Sequence, residues 1–132
     1  MIRVFKSSVI RELLDPIDLT NLAKDFKKYK EEGMRPDTFG RDVLYDHPHS
    51  LPSIRQEKVR HIHLQDEDSH WRVRTIQYYR TSDTHLVYCQ GAIHDDQFLL
   101  ITLLKPDAHN QARNNNIMMA IATQAAHFRE KN

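Results

Sequence analysis

The sequence predicts an α+β domain in which an antiparallel sheet packs against N-terminal helices and a C-terminal helix. Three observations lead there. Residues 16–32 carry apolar side chains at helical spacing between a strong start and a strong stop. Residues 59–104 hold short alternating or apolar runs separated by turn chemistry. The last part of the chain returns to helical spacing after Pro106. A length of 132 residues suits one domain, taken as residues 1–132.

The elements follow in order. Ile2 and Val4 alternate against Arg3 and open a strand. Asp15 is an N-cap and Pro16 fits the first helical position. Leu19, Leu22, Phe26 and Tyr29 form the apolar stripe of that helix. Lys27, Lys28 and Lys30 suit the negative end of its dipole, and Gly33 ends it. Pro36 to Asp46 predicts one or two helical turns, and residues 47–53, with two prolines and two histidines, a loop. Val59 to Leu64 alternates as a strand, and Gln65 to His70 is a polar loop. Trp71 to Arg80 is rich in β formers and predicts a strand. Thr81-Ser82-Asp83-Thr84 is turn chemistry. His85 to Gly91 is a strand, residues 93–96 turn, and Gln97 to Leu104 is a buried strand. Pro106-Asp107 opens the last helix, whose stripe is Ile117, Ile121, Ala125 and Phe128. The order β-α-(α)-β-β-β-β-α contains an antiparallel meander.

Composition excludes several function classes. With 39% hydrophobic and 28% charged residues the chain can bury a core and is no disordered tail. No stretch approaches the ~20 apolar residues of a membrane span. The first residues lack an apolar signal region. A soluble, cytoplasmic protein without membrane contact is therefore expected. Cys89 is alone, so disulfides within the chain and cysteine-rich zinc sites are excluded. Gly33, Gly40 and Gly91 form no phosphate-cradling loop, and no cofactor is expected. Lys plus Arg number 19 against 18 Asp plus Glu, a net charge of +1, which argues against a polyanion binder held by field alone. Nine histidines are the unusual feature.

Several of them converge. If residues 81–84 and 93–96 are hairpin turns, His85 lies opposite Arg80 on one side and Leu104 on the other. Lys105 follows at the same end of the sheet. Counting back by four from Ile117 reaches Arg113 and then His109 on one helix face. A helix N-terminus capped by Asp107 would add N–H groups suited to phosphate. Arg80, His85, Lys105, His109 and Arg113 thus ring one spot. His61 and His63 share one face of their own strand. Metal-free RNA cleavage needs a base for the ribose 2′-OH, an acid for the leaving 5′ oxygen and cations for the phosphorane. Histidine, arginine and lysine meet those needs. Two other readings stand beside this one. The His-x-His pair could hold a zinc ion if a third ligand existed, and the cluster could bind RNA or ribosome without cutting. His47, His49, His70, His94 and His127 read as ordinary surface histidines, and Cys89 as a buried inert thiol.

A set of segments resembles the YafO family of bacterial toxin–antitoxin toxins. They are Arg3-Val4-Phe5-Lys6, Pro36-Asp37-x-Phe39-Gly40-Arg41-Asp42-x-Leu44-Tyr45-Asp46, His61-Ile62-His63-Leu64 and Arg80-Thr81-x-Asp83-x-His85-Leu86-Val87-Tyr88-Cys89-Gln90-Gly91-Ala92. Leu104-Lys105-Pro106, Ala108-His109, Ala112-Arg113 and Asn115-Asn116 complete them. They run in order over nearly the whole chain, outside residues 47–58 and 65–79. The resemblance implies a ribosome-dependent mRNA endonuclease that works on the large ribosomal subunit and is neutralised by a cognate antitoxin protein. More widely it implies a RelE-like fold. By position, His61 and His63 look like the sheet lysines of RelE-like relatives, and His85 like their strand arginine. A near-neutral charge suits an enzyme to which the ribosome delivers its substrate.

Overall fold

A computed structural model describes residues 1–132. The elements are β1 (Arg3–Lys6), α1 (Ser8–Leu13), α2 (Pro16–Glu32), β2 (Phe39–Leu44), α3 (Pro52–Gln56) and β3 (Arg60–Leu64), then β4 (His85–Gln90), β5 (Gln97–Leu104), α4 (Ala108–Gln111) and α5 (Asn115–Lys131). The five strands form one sheet in the order β1-β5-β4-β3-β2. The sheet is mixed: β1 runs parallel to β5 and all other pairs are antiparallel. No helix is long and apolar enough to cross a membrane.

Side chains alternate across the sheet, so its two faces build two cores. One face carries Ile62, Leu86, Tyr88, Phe98 and Leu100 against Ile10 of α1 and Leu19 and Phe26 of α2. The other carries Val87, Cys89, Leu99, Ile101 and Leu104 against Met118, Ile121, Ala122, Ala125 and Phe128 of α5. The stripes expected on α2 and α5 are those that pack, with Leu22, Tyr29 and Ile117 half-buried at their edges. Asp15 caps α2 by accepting from the Ile17 and Asp18 N–H groups at 2.8 and 3.0 Å, and Gly33 ends it at φ +69°. The short helix α1 had no sequence signal beyond its cap. Ser7 accepts from the Ile10 N–H and donates to the Ile101 carbonyl, tying α1 to β5.

Three local expectations are corrected. Residues 36–46 form no helical turns: residues 39–44 are the edge strand β2, pairing Asp42 with Ile62 and Leu44 with Arg60. Gly40 admits this strand because any Cβ there would collide with the Arg80 carbonyl. Residues 71–80 form no strand. A strand has two edges, and β4 spends both, on β3 and β5. The 71–80 segment instead loops over the surface with one 3₁₀ turn at Gln77–Tyr79, leaving Val73, Ile76, Tyr78 and Tyr79 exposed. The last helix is broken: α4 is a single turn, and Asn114 starts α5 by accepting from the Asn116 and Ile117 N–H groups.

The expected pairing of His85 with Leu104 is present, but by another route. Near the turn Gln90 pairs with Phe98, one residue away from the sequence count. An extra residue on β5, between the partners of Val87 and Tyr88, restores the offset further along.

Candidate active site

β3 and β4 bring three imidazoles together. His61 and His63 sit two apart on β3 and therefore share a face. His63 is the direct cross-strand partner of His85. Ring centroids lie 4.3 Å apart for His63–His85, 4.5 Å for His61–His85 and 5.3 Å for His61–His63. All three are buried. They form the floor of a cleft of about 710 Å³, whose walls include Arg41, Tyr45, His109 and Arg113. Asp46 contributes a carboxylate to the lining.

Tyr45 organises the floor. Its ring stacks on His61 at 3.9 Å and 15°, and its hydroxyl lies 3.2 Å from His85 Nδ1. Burial pushes its phenol far above the usual range, so it keeps its proton. His63 Nδ1 lies 2.9 Å from the Ser82 N–H and 3.0 Å from the Ser82 carbonyl. A neutral His63 with its proton on Nε2 accepts from the Ser82 N–H, while a His63 with a proton on Nδ1, neutral or charged, donates to the Ser82 carbonyl. Asp83 fixes the mouth. Its carbonyl accepts from the Ala108 N–H and its Oδ1 from the His109 N–H, both at 3.1 Å.

Of the residues singled out by sequence, the structure gathers His61, His63, His85, His109 and Arg113 at one cleft. It does not bring Arg80 or Lys105 there. Arg80 is 6% exposed, and its guanidinium donates to the carbonyls of Thr75 at 2.9 Å and Val73 at 3.0 Å. It clamps the 71–80 loop, because the hairpin that would have set it beside His85 does not form. Lys105 follows Leu104 by one residue, so it turns to the opposite face, exposed and near Asp18 of α2. Asp107 makes no cap bond and accepts instead from the Asn110 side chain. The four-residue α4 offers no long dipole to a phosphate. His47 and His49 stand on the cleft wall rather than apart from it.

Sequence reasoning missed Arg41 and Tyr45. Arg41 stacks on Tyr78 at 4.1 Å and donates from Nε to the Tyr78 carbonyl at 2.7 Å. The signal was present: Arg41, Val43 and Tyr45 alternate at strand spacing and all line the cleft. A segment carrying Pro36 and Gly40 hid it.

Electrostatics hold the floor neutral. Burial, then its neighbour His63, lowers His85 to about 4, against a smaller upward pull from Asp83. Burial, then His85, His63 and Arg41, lowers His61 to about 2. Burial also lowers His63, opposed by its Ser82 bond. An unfolded histidine titrates near 6.5. Between pH 6.5 and about 4 the unfolded chain therefore binds more protons at His85, and stability rises with pH. The contribution is complete above pH 6.5 and is lost as pH falls through about 4. It is on the order of 3 kcal/mol for His85. Denaturant midpoints should fall from pH 6.5 to 4, and His85→Gln should flatten that fall. An equal slope in the variant would place the titration elsewhere.

A sequence model of toxin YafO, from type II toxin–antitoxin systems, matches residues 27–130. The chain belongs to the YafO toxin family. The mRNA interferase toxin YafO of Escherichia coli K12 is 47% identical over 128 residues, covering 96% of this chain and 97% of that protein. No solved structure matches. In this YafO-family chain the matched span contains every cleft residue named above, from Arg41 to Arg113.

Proposed function

We propose that this chain is a metal-independent mRNA endoribonuclease, the toxin of a toxin–antitoxin pair, with a RelE-like fold. The observation that carries the reading is the row of three touching imidazoles between Arg41 and Arg113 in a cleft wide enough for a nucleotide. The E. coli relative's name supplies the class of substrate.

In this reading His85 is the base. With its proton on Nδ1 donated to the Tyr45 oxygen, Nε2 presents a lone pair. Nε2 takes the 2′-OH proton, O2′ attacks phosphorus, and the P–O5′ bond breaks. His63, protonated once the phosphodiester is bound, gives its Nε2 proton to O5′ and ends neutral, while its Nδ1–H donates to the Ser82 carbonyl. His109 at the mouth is the second candidate acid. Arg41 and Arg113 neutralise the phosphorane. An incoming phosphodiester raises the depressed imidazole pKa values, because it favours their charged forms. The products are a 2′,3′-cyclic phosphate and a 5′-OH.

The partners are mRNA presented on the large ribosomal subunit and a cognate antitoxin protein, in the cytoplasm. Primer extension on mRNA from induced cells should show new, discrete 5′ ends that kinase labels directly because they carry 5′-OH. A translation block without new ends would make the protein a non-cutting inhibitor. Cutting should survive a strong chelator that spares the ribosome. Purified protein should cut free RNA poorly, since a charge of +1 gives little affinity for a bare polyanion.

A further inference from the structure

The sequence offered His61 and His63 as two imidazoles on one strand face, lacking a third ligand. Strand pairing supplies it as His85. We infer that His61, His63 and His85 form a binding site for a borderline divalent ion of the Zn²⁺ type, and that its occupancy switches off the cleft's chemistry.

Several observations support the site. One ring nitrogen from each residue lies within 4.8 Å of those of the other two. Zinc–imidazole bonds of about 2.0–2.1 Å in a tetrahedron put nitrogens about 3.4 Å apart, a contraction that side-chain torsions supply on two paired strands. The donors are three imidazoles without a carboxylate, which selects zinc-like ions over the oxygen-seeking Mg²⁺ and Ca²⁺. His61, only 8% exposed, has an Nδ1 with no hydrogen-bond partner, a rarity in a protein interior. His63 and His85 already have partners of the kind that orient ligand imidazoles: with their protons on Nδ1, His63 donates to the Ser82 carbonyl and His85 to the Tyr45 oxygen, which leaves each Nε2 lone pair for the ion. The fourth coordination position faces the cleft.

The binding rests on this geometry alone. The loss of activity rests on the proton-transfer reading above, because a lone pair given to a metal accepts no proton. The ion would thus act as a reversible block of an enzyme that needs none.

Untagged protein, stripped of metal, is titrated with ZnCl₂ against a chromophoric chelator. One ion per chain is expected, undisplaced by excess Mg²⁺. His63→Gln and His85→Ala should each weaken binding by more than the roughly 10–100-fold that loss of an outer partner costs. The surface double variant His94→Ala/His127→Ala should bind like the parent, and circular dichroism checks that each variant is folded. Absence of stoichiometric binding, or equal binding in the parent and both cluster variants, overturns the site. In translation-coupled cleavage, one equivalent of Zn²⁺ should abolish cutting and chelator should restore it. Tight binding with undiminished or enhanced cutting overturns the block. Cutting by metal-free parent protein that fails to bind zinc overturns this inference while leaving the endonuclease reading intact.

Discussion

Replacing His85 with alanine is expected to lower mRNA cleavage by about 10²–10⁴-fold, the usual worth of a positioned proton-transfer group. His85 is the middle ring of the three, within 4.5 Å of one neighbour and 4.3 Å of the other. On the proposed mechanism its loss removes the base, and it also removes the partner of the Tyr45 hydroxyl. The fold should survive. His85 lies at the end of β4, while Leu86, Val87 and Tyr88 beside it belong to the two apolar cores. The measurement is the yield of new 5′-OH ends at equal protein level, with thermal unfolding run in parallel. Full cleavage by a folded His85→Ala protein would remove the central assignment. The same loss in His109→Ala but not in His63→Gln would move the acid role to the mouth.

Replacing Asp42 with alanine is expected to destabilise the protein by roughly 3 kcal/mol, near the lower end for breaking a buried ion pair. The Asp42 side chain is 7% exposed. It accepts from the Tyr29 hydroxyl at 2.8 Å, the Tyr88 hydroxyl at 2.7 Å, Lys30 at 3.4 Å and Arg60 Nε at 3.3 Å. Truncation strands two phenols and leaves two cations facing each other. Lys30 and Arg60 are 21% and 34% exposed, so water recovers part of the cost. Lys30→Met should cost much less, since Asp42 keeps Arg60 and both hydroxyls. Asp42 also links edge strand β2 to α2 on the face opposite the cleft. Its neighbours Arg41 and Val43 point the other way, into the cleft. Loosening β2 should therefore reduce cleavage as well as stability. Denaturant unfolding and cleavage yield check the two effects, and an unchanged unfolding midpoint would show the network to be energetically idle.

The elements legible in the sequence are those whose signal is local. Asp15-Pro16 and Gly33 bound α2 because capping satisfies backbone groups within a few residues of themselves. The stripes of α2 and α5 follow from 3.6-residue periodicity, and the shared face of His61 and His63 from the two-residue period of a strand. What the tertiary structure alone decided is strand partnership. Residues 71–80 have strand composition and residues 39–44 do not, yet β2 takes the open edge of β3 while 71–80 loops outside. A pairing edge is a property of the assembled sheet, and propensity yields to it. That choice replaced Arg80 with His63 as the partner of His85, and brought Arg41 and Tyr45 into the cleft. It also turned Arg80 into a loop clamp. The sequence by itself determined that His61 and His63 would share one strand face. The third imidazole, and the tyrosine that orients two of the three, came from hydrogen bonds between strands far apart in the chain.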